Sequence, residues 1–235
     1  MNPGGAGEGP SPPRPNGKLA LFDLDNTLLT GDSDDEWFDF LVERGAVDRQ
    51  TETAAHAELV GRYREGRAGT LEFCEFFLRF FVPHERSKLL AWRDAYMRER
   101  IVPRIPGSAR ELLARHRADL VVIATATNRF LTEPIAAELG VTHLIATEPE
   151  LRDGRFTGKV SGTPSFREGK AVRVEEWLAA RGQSLAGFSE SWFYSDSIND
   201  RPLLERVTHP VAVDPDPQLA RLSRERGWQI LALER

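Results

Sequence analysis

The stretch Leu19-Ala20-Leu21-Phe22-Asp23-Leu24-Asp25-Asn26-Thr27 sets an apolar run directly before two carboxylates spaced two residues apart. Side chains two apart on a strand point to one side, so a strand over 18–24 turns Asp23 and Asp25 toward one pocket and Leu24 into the core. One carboxylate could then attack a phosphorus centre while its neighbour handles the proton, which makes the pair a candidate phosphoryl-transfer centre. The same spelling also serves as a solvated turn or as the N-cap of the next helix, so the pair alone leaves both readings open.

Outward from this strand, short apolar runs recur at 120–124, 143–146, 191–195, 210–213 and 228–232, with helical segments at 107–117, 130–139, 169–181 and 217–226. The alternation predicts an α/β fold with a parallel sheet. Residues 150–157 differ: Asp153-Gly154 between short strands is the signature of a tight hairpin. Residues 32–100 contain no convincing strand and several helical patterns, among them the stripe Leu71, Phe73, Phe76, Phe77 and Phe80. They read as an all-helical insert whose aromatic stripe packs its own core, with substrate contact by one or two of its members as the second reading. The expected organisation is a disordered Gly- and Pro-rich tail over 1–17, a core from 18–31 and 101–235, and a helical cap over 32–100. Such a cap covers the carboxyl ends of the strands, where α/β sheets bind ligands.

At 235 residues the chain can bury one substantial core and still carry a smaller insert. A net charge of -5 argues against nonspecific binding to nucleic acid or to an anionic membrane, which needs clustered positive charge. The single cysteine, Cys74, allows no internal disulfide and no thiol-rich metal site, and it reads as a packing residue. No apolar run approaches the ~18 residues of a spanning helix, and the first 17 residues lack the apolar stretch of a secretory signal. The expected location is cytoplasmic. No feature specifies an oligomeric state.

Other residues fit a phosphate ester. Thr125 follows the run Leu120-Val121-Val122-Ile123-Ala124, where its hydroxyl and the nearby backbone N–H groups could hold a phosphate oxygen or cap the next helix. Lys170, one of four lysines, opens a helix and is either a surface charge or the cation that stabilises a transferring phosphoryl group. The run Asp196-Ser197-Ile198-Asn199-Asp200 ends a further strand and is either a structural turn or a source of hard-cation ligands, with Asp23 and Asp196 offering carboxylates to magnesium from two strands.

These pieces in this order resemble the haloacid dehalogenase (HAD) superfamily, whose motifs begin Asp-x-Asp-x-Thr and end in an acidic Asp-x-x-x-Asp loop. The resemblance runs from Lys18 to the C-terminus. The helical insert after the first motif is similar to that of subfamily IB, the phosphoserine-phosphatase-like hydrolases, which histidinol-phosphate phosphatases also resemble. It implies an HAD-like Rossmannoid core and a Mg2+-dependent phosphomonoester hydrolase acting on a small metabolite through an aspartyl phosphate. In that implied scheme Asp23 is the nucleophile and Asp25 the general acid and then base. Thr125, Ala126 and Lys170 bind phosphate, and Asn199 supports the acidic loop. Asp23, the Asp25 backbone carbonyl and Asp196 hold the metal, with Asp200 acting directly or through water.

Relatives that hydrolyse phosphoserine use an acidic cap residue for the amine and an arginine for the carboxylate. Asp32 falls at the acidic position, but Phe80 falls where the arginine belongs, leaving Arg79 as the nearby candidate. A carboxylate buried without a cation is costly. The cluster Asp32, Asp34, Asp35 and Glu36 suits an amine without a carboxylate, so histidinol phosphate is the first expectation and phosphoserine the second, although some of these acids also suit a helix N-terminus. A phosphotransferase, or a non-catalytic phosphate-binding module, stands behind both.

Overall fold

The computed structural model describes residues 16–234. Residues 1–15 of the expected tail lie outside the described residues, and the first strand starts at Asn16, ahead of the expected boundary at 18. In chain order the strands are β1 (Asn16–Phe22), β2 (Leu120–Asn128), β3 (His143–Thr147), β4 (Pro149–Arg152), β5 (Arg155–Val160), β6 (Phe188–Ser195), β7 (His209–Val213) and β8 (Gln229–Leu231). The helices are α1 (Ser33–Glu43), α2 (Arg49–Arg64), α3 (Thr70–Leu78), α4 (Arg86–Tyr96), α5 (Gly107–Arg115), α6 (Arg129–Glu138), α7 (Glu168–Ala179), α8 (Arg201–Leu204) and α9 (Pro217–Arg226).

Among the described residues six strands form one sheet in the order β3-β2-β1-β6-β7-β8, every neighbouring pair parallel. Alternation along β1 explains how both faces are used. Leu19 and Leu21 pack with Val122, Phe193 and residues of α7, α8 and α9, while Ala20 and Phe22 pack on the other side with residues of α5 and α6. Each fully buried leucine contributes about 1.5–3 kcal/mol. From central β1 the chain builds outward through β2 and β3 on one side and later through β6, β7 and β8 on the other. The carboxyl ends of β1, β2 and β6 therefore meet where the strand order reverses, the crevice in which such sheets place ligands.

Residues 33–104 hold helices joined by short turns and no strand. The expected boundary at 100/101 marks no break, because backbone hydrogen bonding continues from α4 through a π-turn (Met97–Ile101) into a 3-10 turn (Val102–Arg104). Trp37, Phe40, Phe76, Phe80, Phe81 and Tyr96 are buried in the same apolar cluster as Phe22 and Leu24, so the helices share a core with the sheet. The aromatic stripe divides: Phe76 and Phe80 are buried in that core, Phe73 and Phe77 are half-buried, and Leu71 is exposed.

The hairpin forms at the expected place, β4 pairing antiparallel with β5 through Asp153 (φ 50) and Gly154 (φ 78). Both positive φ values fit the turn type whose twist matches the flanking strands. The hairpin leans on the helical segment: Lys159 and the Val160 amide donate to Glu75 of α3 at 2.8 Å and 3.1 Å, and Phe156 packs on Phe81.

Candidate active site

β1 ends at Phe22, one residue before the acidic pair, yet the Asp23 amide still donates to the Tyr194 carbonyl of β6 at 2.9 Å. Asn26 (φ 55) then reverses the chain, a conformation asparagine tolerates. Both carboxylates line a cavity of about 480 Å³ at the strand ends.

The two sit among different partners. Asp23 is buried and accepts from Lys170 Nζ at 2.9 Å. The same ammonium, also buried, lies 2.7 Å from both Asp200 oxygens, and Asp200 accepts from Ser195 Oγ at 2.7 Å. Burial pushes Asp23 up to about 6, with Lys170 opposing the rise. Burial alone would lower Lys170, but Asp200 and Asp23 more than offset it and hold the amine protonated.

Among the described residues no cation pairs with Asp25. Its Oδ1 accepts from the Ser33 amide at 2.7 Å and its Oδ2 from Thr127 Oγ1 at 2.8 Å, which ties it to the start of α1 and the end of β2. Burial, and then the neighbouring Asp32, push Asp25 up to about 8. A carboxyl held protonated near neutrality suits a general acid. Thr127 Oγ1 also lies 3.3 Å from Asp34, whose other oxygen accepts from Asn128 Nδ2 at 3.3 Å. Tyr96 donates to the Ser33 carbonyl at 2.8 Å beneath them.

On the acidic loop, Asp196 is pushed up to about 8 by burial and then by Asp23 and Asp200. Asp216, at the N-cap of α9, shapes this loop: its amide donates to the Asp196 carbonyl at 2.8 Å and its Oδ2 accepts from the Ile198 amide at 2.7 Å. Asn199 Oδ1 accepts from Arg167 Nε at 3.0 Å. Arg167 itself adopts φ 52 and ψ -126, a conformation that costs an L-residue about 1–3 kcal/mol. At Gly169, just before Lys170, an added Cβ would stand 2.2 Å from the Pro164 carbonyl oxygen, so only glycine allows the close approach that delivers the lysine.

Of the residues singled out in the sequence, Asp23, Asp25, Asp32, Ala126, Lys170, Asp196, Asn199 and Asp200 line this one cavity. Two do not. Thr125 is fully buried and its hydroxyl accepts from the Thr127 amide at 3.2 Å. The register between β2 and β3 shifts between Ala124 and Asn128, and this irregularity turns Ala126 and Thr127 to the cavity instead. Arg79 corrects a second expectation. It pairs with Glu52, lies over the Phe76 ring, and lines a different cavity on the far side of α3. Asp32 caps α1, accepting from the Asp34 and Asp35 amides at 2.8 Å and 3.0 Å, while still bordering the site. Glu36 turns away to Arg104 at 2.7 Å.

Sequence reasoning missed Thr127, Arg167, Asp216, Tyr63 and Phe166; Phe73 and Phe77, which share the cavity wall, belong to the stripe whose second reading is substrate contact. Phe73 and Phe166 stack with ring centroids 5.7 Å apart. Asp216-Pro217 carried a readable N-cap signal, but its hold on the acidic loop depends on β7 lying beside β6.

Among the described residues, no group of three or more His, Cys, Asp or Glu side chains could enclose a metal by itself. Asp23 and Asp196 line the same cavity, and carboxyl oxygens of this kind fit magnesium, which takes a few such donors and completes its shell with water and phosphate.

Residues 20–205 match the family of haloacid dehalogenase-like hydrolases. Histidinol-phosphatase of Neisseria meningitidis serogroup C (strain 8013) is 38% identical over 216 residues, 91% of this chain and 97% of that one. Phosphoserine phosphatase SerB1 of Mycobacterium tuberculosis (strain ATCC 25618 / H37Rv) is 33% identical over 242 residues, 96% of this chain and 74% of that one. The crystal structure of a protein of unknown function from Bordetella pertussis Tohama I superimposes with a TM-score of 0.86 at 48% identity, covering 92% of this chain and 98% of the other. A substrate-bound phosphoserine phosphatase shares the fold, with a TM-score of 0.64 at 19% identity over 92% and 93% of the two chains. The chain belongs to the haloacid dehalogenase-like hydrolases and stands among their phosphatases.

Proposed function

We propose that this phosphatase hydrolyses a small cationic phosphomonoester, histidinol phosphate before phosphoserine, through a phosphoryl group carried on Asp23. The observation that carries the reading is the unequal pair: Asp23 faces the Lys170 ammonium at 2.9 Å, while Asp25, held by Ser33 and Thr127, is pushed up to about 8. Asp23 attacks the phosphorus, and Asp25 gives its proton to the departing alkoxide. Asp25, now a base, takes a proton from the water that attacks the aspartyl phosphate and so restores Asp23. Two easier steps replace one hard one. The Ala126 and Thr127 stretch closes the phosphate end, and Lys170 offsets the repulsion between anionic nucleophile and anionic ester. Asp23, Asp196 and the Asp25 carbonyl would hold Mg2+, with Asp200 supporting them; when bound it supplies charge to neutralise the phosphoryl oxygens.

Helices α1 to α4 act as the cap. Asp32 and Asp34 line the outer cavity with carboxyl groups that burial holds toward the protonated form and that a substrate ammonium would draw back to the anion. Phe73, Phe77 and Tyr63 give it a ring-lined wall, and the two features together suit an amine attached to a flat ring. The Neisseria meningitidis relative named histidinol-phosphatase supports this order, and the Mycobacterium tuberculosis relative supports phosphoserine as the second reading. The unpaired, half-buried Cys74 is in keeping with a reducing cytoplasm, where we place the reaction.

The test compares kcat/KM on histidinol phosphate and phosphoserine, with magnesium and with chelator, in the wild type and in Asp23→Asn. Magnesium-dependent turnover that prefers histidinol phosphate and vanishes in a folded Asp23→Asn protein is expected. Retained turnover in that variant sinks the nucleophile, and a preference for phosphoserine reverses the substrate order.

A further inference from the structure

A phosphate dianion entering this cavity meets seven lining aspartates and only three basic side chains, Lys170, His56 and Arg167. Lys170 is already engaged on both sides by Asp23 and Asp200. His56 packs against the Phe76 and Phe77 rings, and burial lowers its pKa, so it stands neutral near pH 7. Arg167 is the remaining cation, and among the described residues it forms no ion pair.

The Arg167 guanidinium is held in place without being neutralised. Its Nε donates to Asn199 on the acidic loop at 3.0 Å, and its Cζ lies 4.8 Å from the Tyr63 ring centroid and 5.4 Å from that of Phe166. No hydrogen bond to another described residue engages its terminal nitrogens. The backbone bears an unfavourable φ of 52 to put the side chain there, and a strained residue kept at a ligand cavity is the kind of outlier from which function is inferred. Arg167 also stands only three residues before Lys170 and is anchored to the loop that carries Asp196 and Asp200, so its charge sits toward the phosphate end.

We propose that Arg167 binds the phosphoryl oxygens of the substrate through its two terminal nitrogens, as a second cation beside Lys170. The planar fork matches two phosphate oxygens in a way a lysine cannot. The inference rests on the phosphatase reading and deepens it: the group recognised is the phosphate common to every ester, not the alcohol.

Arg167→Met keeps an unbranched stem for Tyr63 and Phe166 while removing the charge, and Arg167→Lys keeps the charge without the fork. Calorimetric titration of inorganic phosphate into magnesium-loaded protein needs no turnover, so it reads Arg167 even if the proposed reaction fails. Arg167→Met is expected to weaken phosphate binding about tenfold to hundredfold and to lower kcat/KM on histidinol phosphate and on p-nitrophenyl phosphate by the same factor. Arg167→Lys is expected to recover part of both. Unchanged phosphate affinity overturns the proposal, whether activity is intact, lost on one ester only, or lost together with a fall in melting temperature. If Arg167→Met does not fold, Arg167→Lys decides alone: phosphate affinity equal to wild type overturns the fork.

Discussion

Lys170 donates to Asp23 at 2.9 Å across a sequence separation of 147 residues, and its other flank closes on Asp200 at 2.7 Å. One buried ammonium from the start of α7 thus ties the end of β1 to the loop after β6, fixing the carboxylate of Asp23, the proposed nucleophile, and neutralising part of the charge around it.

Replacing Lys170 by methionine keeps the stem and strands two buried carboxylates. The expected cost is about 3–5 kcal/mol at neutral pH and about 100-fold to 1000-fold in kcat. Because the stranded acids can escape by protonation, urea melts should show a smaller loss near pH 5 than near pH 8. Equal losses at both would mean the lysine acts by packing.

Thr127 and Thr125 make a paired test. Thr127→Val removes the donor that holds Asp25 Oδ2 and is expected to lower kcat about 10-fold to 100-fold, with Thr127→Ser close to wild type. Thr125→Val leaves the Thr127 amide without its acceptor and is expected to cost about 1–3 kcal/mol in stability with a smaller effect on kcat. A larger kcat loss in Thr125→Val would return the phosphate-binding hydroxyl to that residue.

Protonation links stability to the metal. Asp25 and Asp196 are pushed up to about 8 and Asp23 to about 6, against an ordinary value of 3.8 for each. Between the ordinary value and the raised one, the folded protein holds more protons than the unfolded chain, so stability falls as pH rises through that window. In chelator, melting temperature should drop from about pH 5 to about pH 8. Added magnesium should raise it most at the alkaline end, where the carboxylates are free to bind. A magnesium effect that is equal at both ends would detach the metal from these acids.

Asp32 and Arg79 separate substrate reading from architecture. Asparagine caps a helix as well as aspartate does, so Asp32→Asn should hold stability within about 0.5 kcal/mol. Its kcat/KM on histidinol phosphate should fall about tenfold, while that on p-nitrophenyl phosphate stays unchanged. Arg79→Ala, on the far side of α3, should leave both efficiencies unaltered. A loss of phosphoserine turnover in Arg79→Ala would restore the arginine to the substrate site.

How much was legible follows the range of the interactions. The strands read well because a buried parallel strand must be nearly all apolar, as Leu19 to Phe22 and Val122 to Ala124 are. The hairpin at Asp153-Gly154 and the insert's helices are equally local features. That Asp23, Asp25, Lys170 and the acidic loop share one cavity was legible because each follows a strand or opens a helix, and the doubly wound order brings such points together.

What the sequence by itself determined, then, is the order of elements and the residue types delivered to the strand ends, since propensity and hydrophobic alternation act within a few residues. Tertiary structure alone decided which hydroxyl meets Asp25, because the irregularity in β2 sets Thr127, and not Thr125, against a carboxylate 102 residues away. It also decided that Arg79 lines a different cavity and that Arg167 lines the one at the strand ends. Those outcomes depend on burial, register and the docking of α2 and α3 over the strand ends, and no local pattern encodes a contact between residues so far apart.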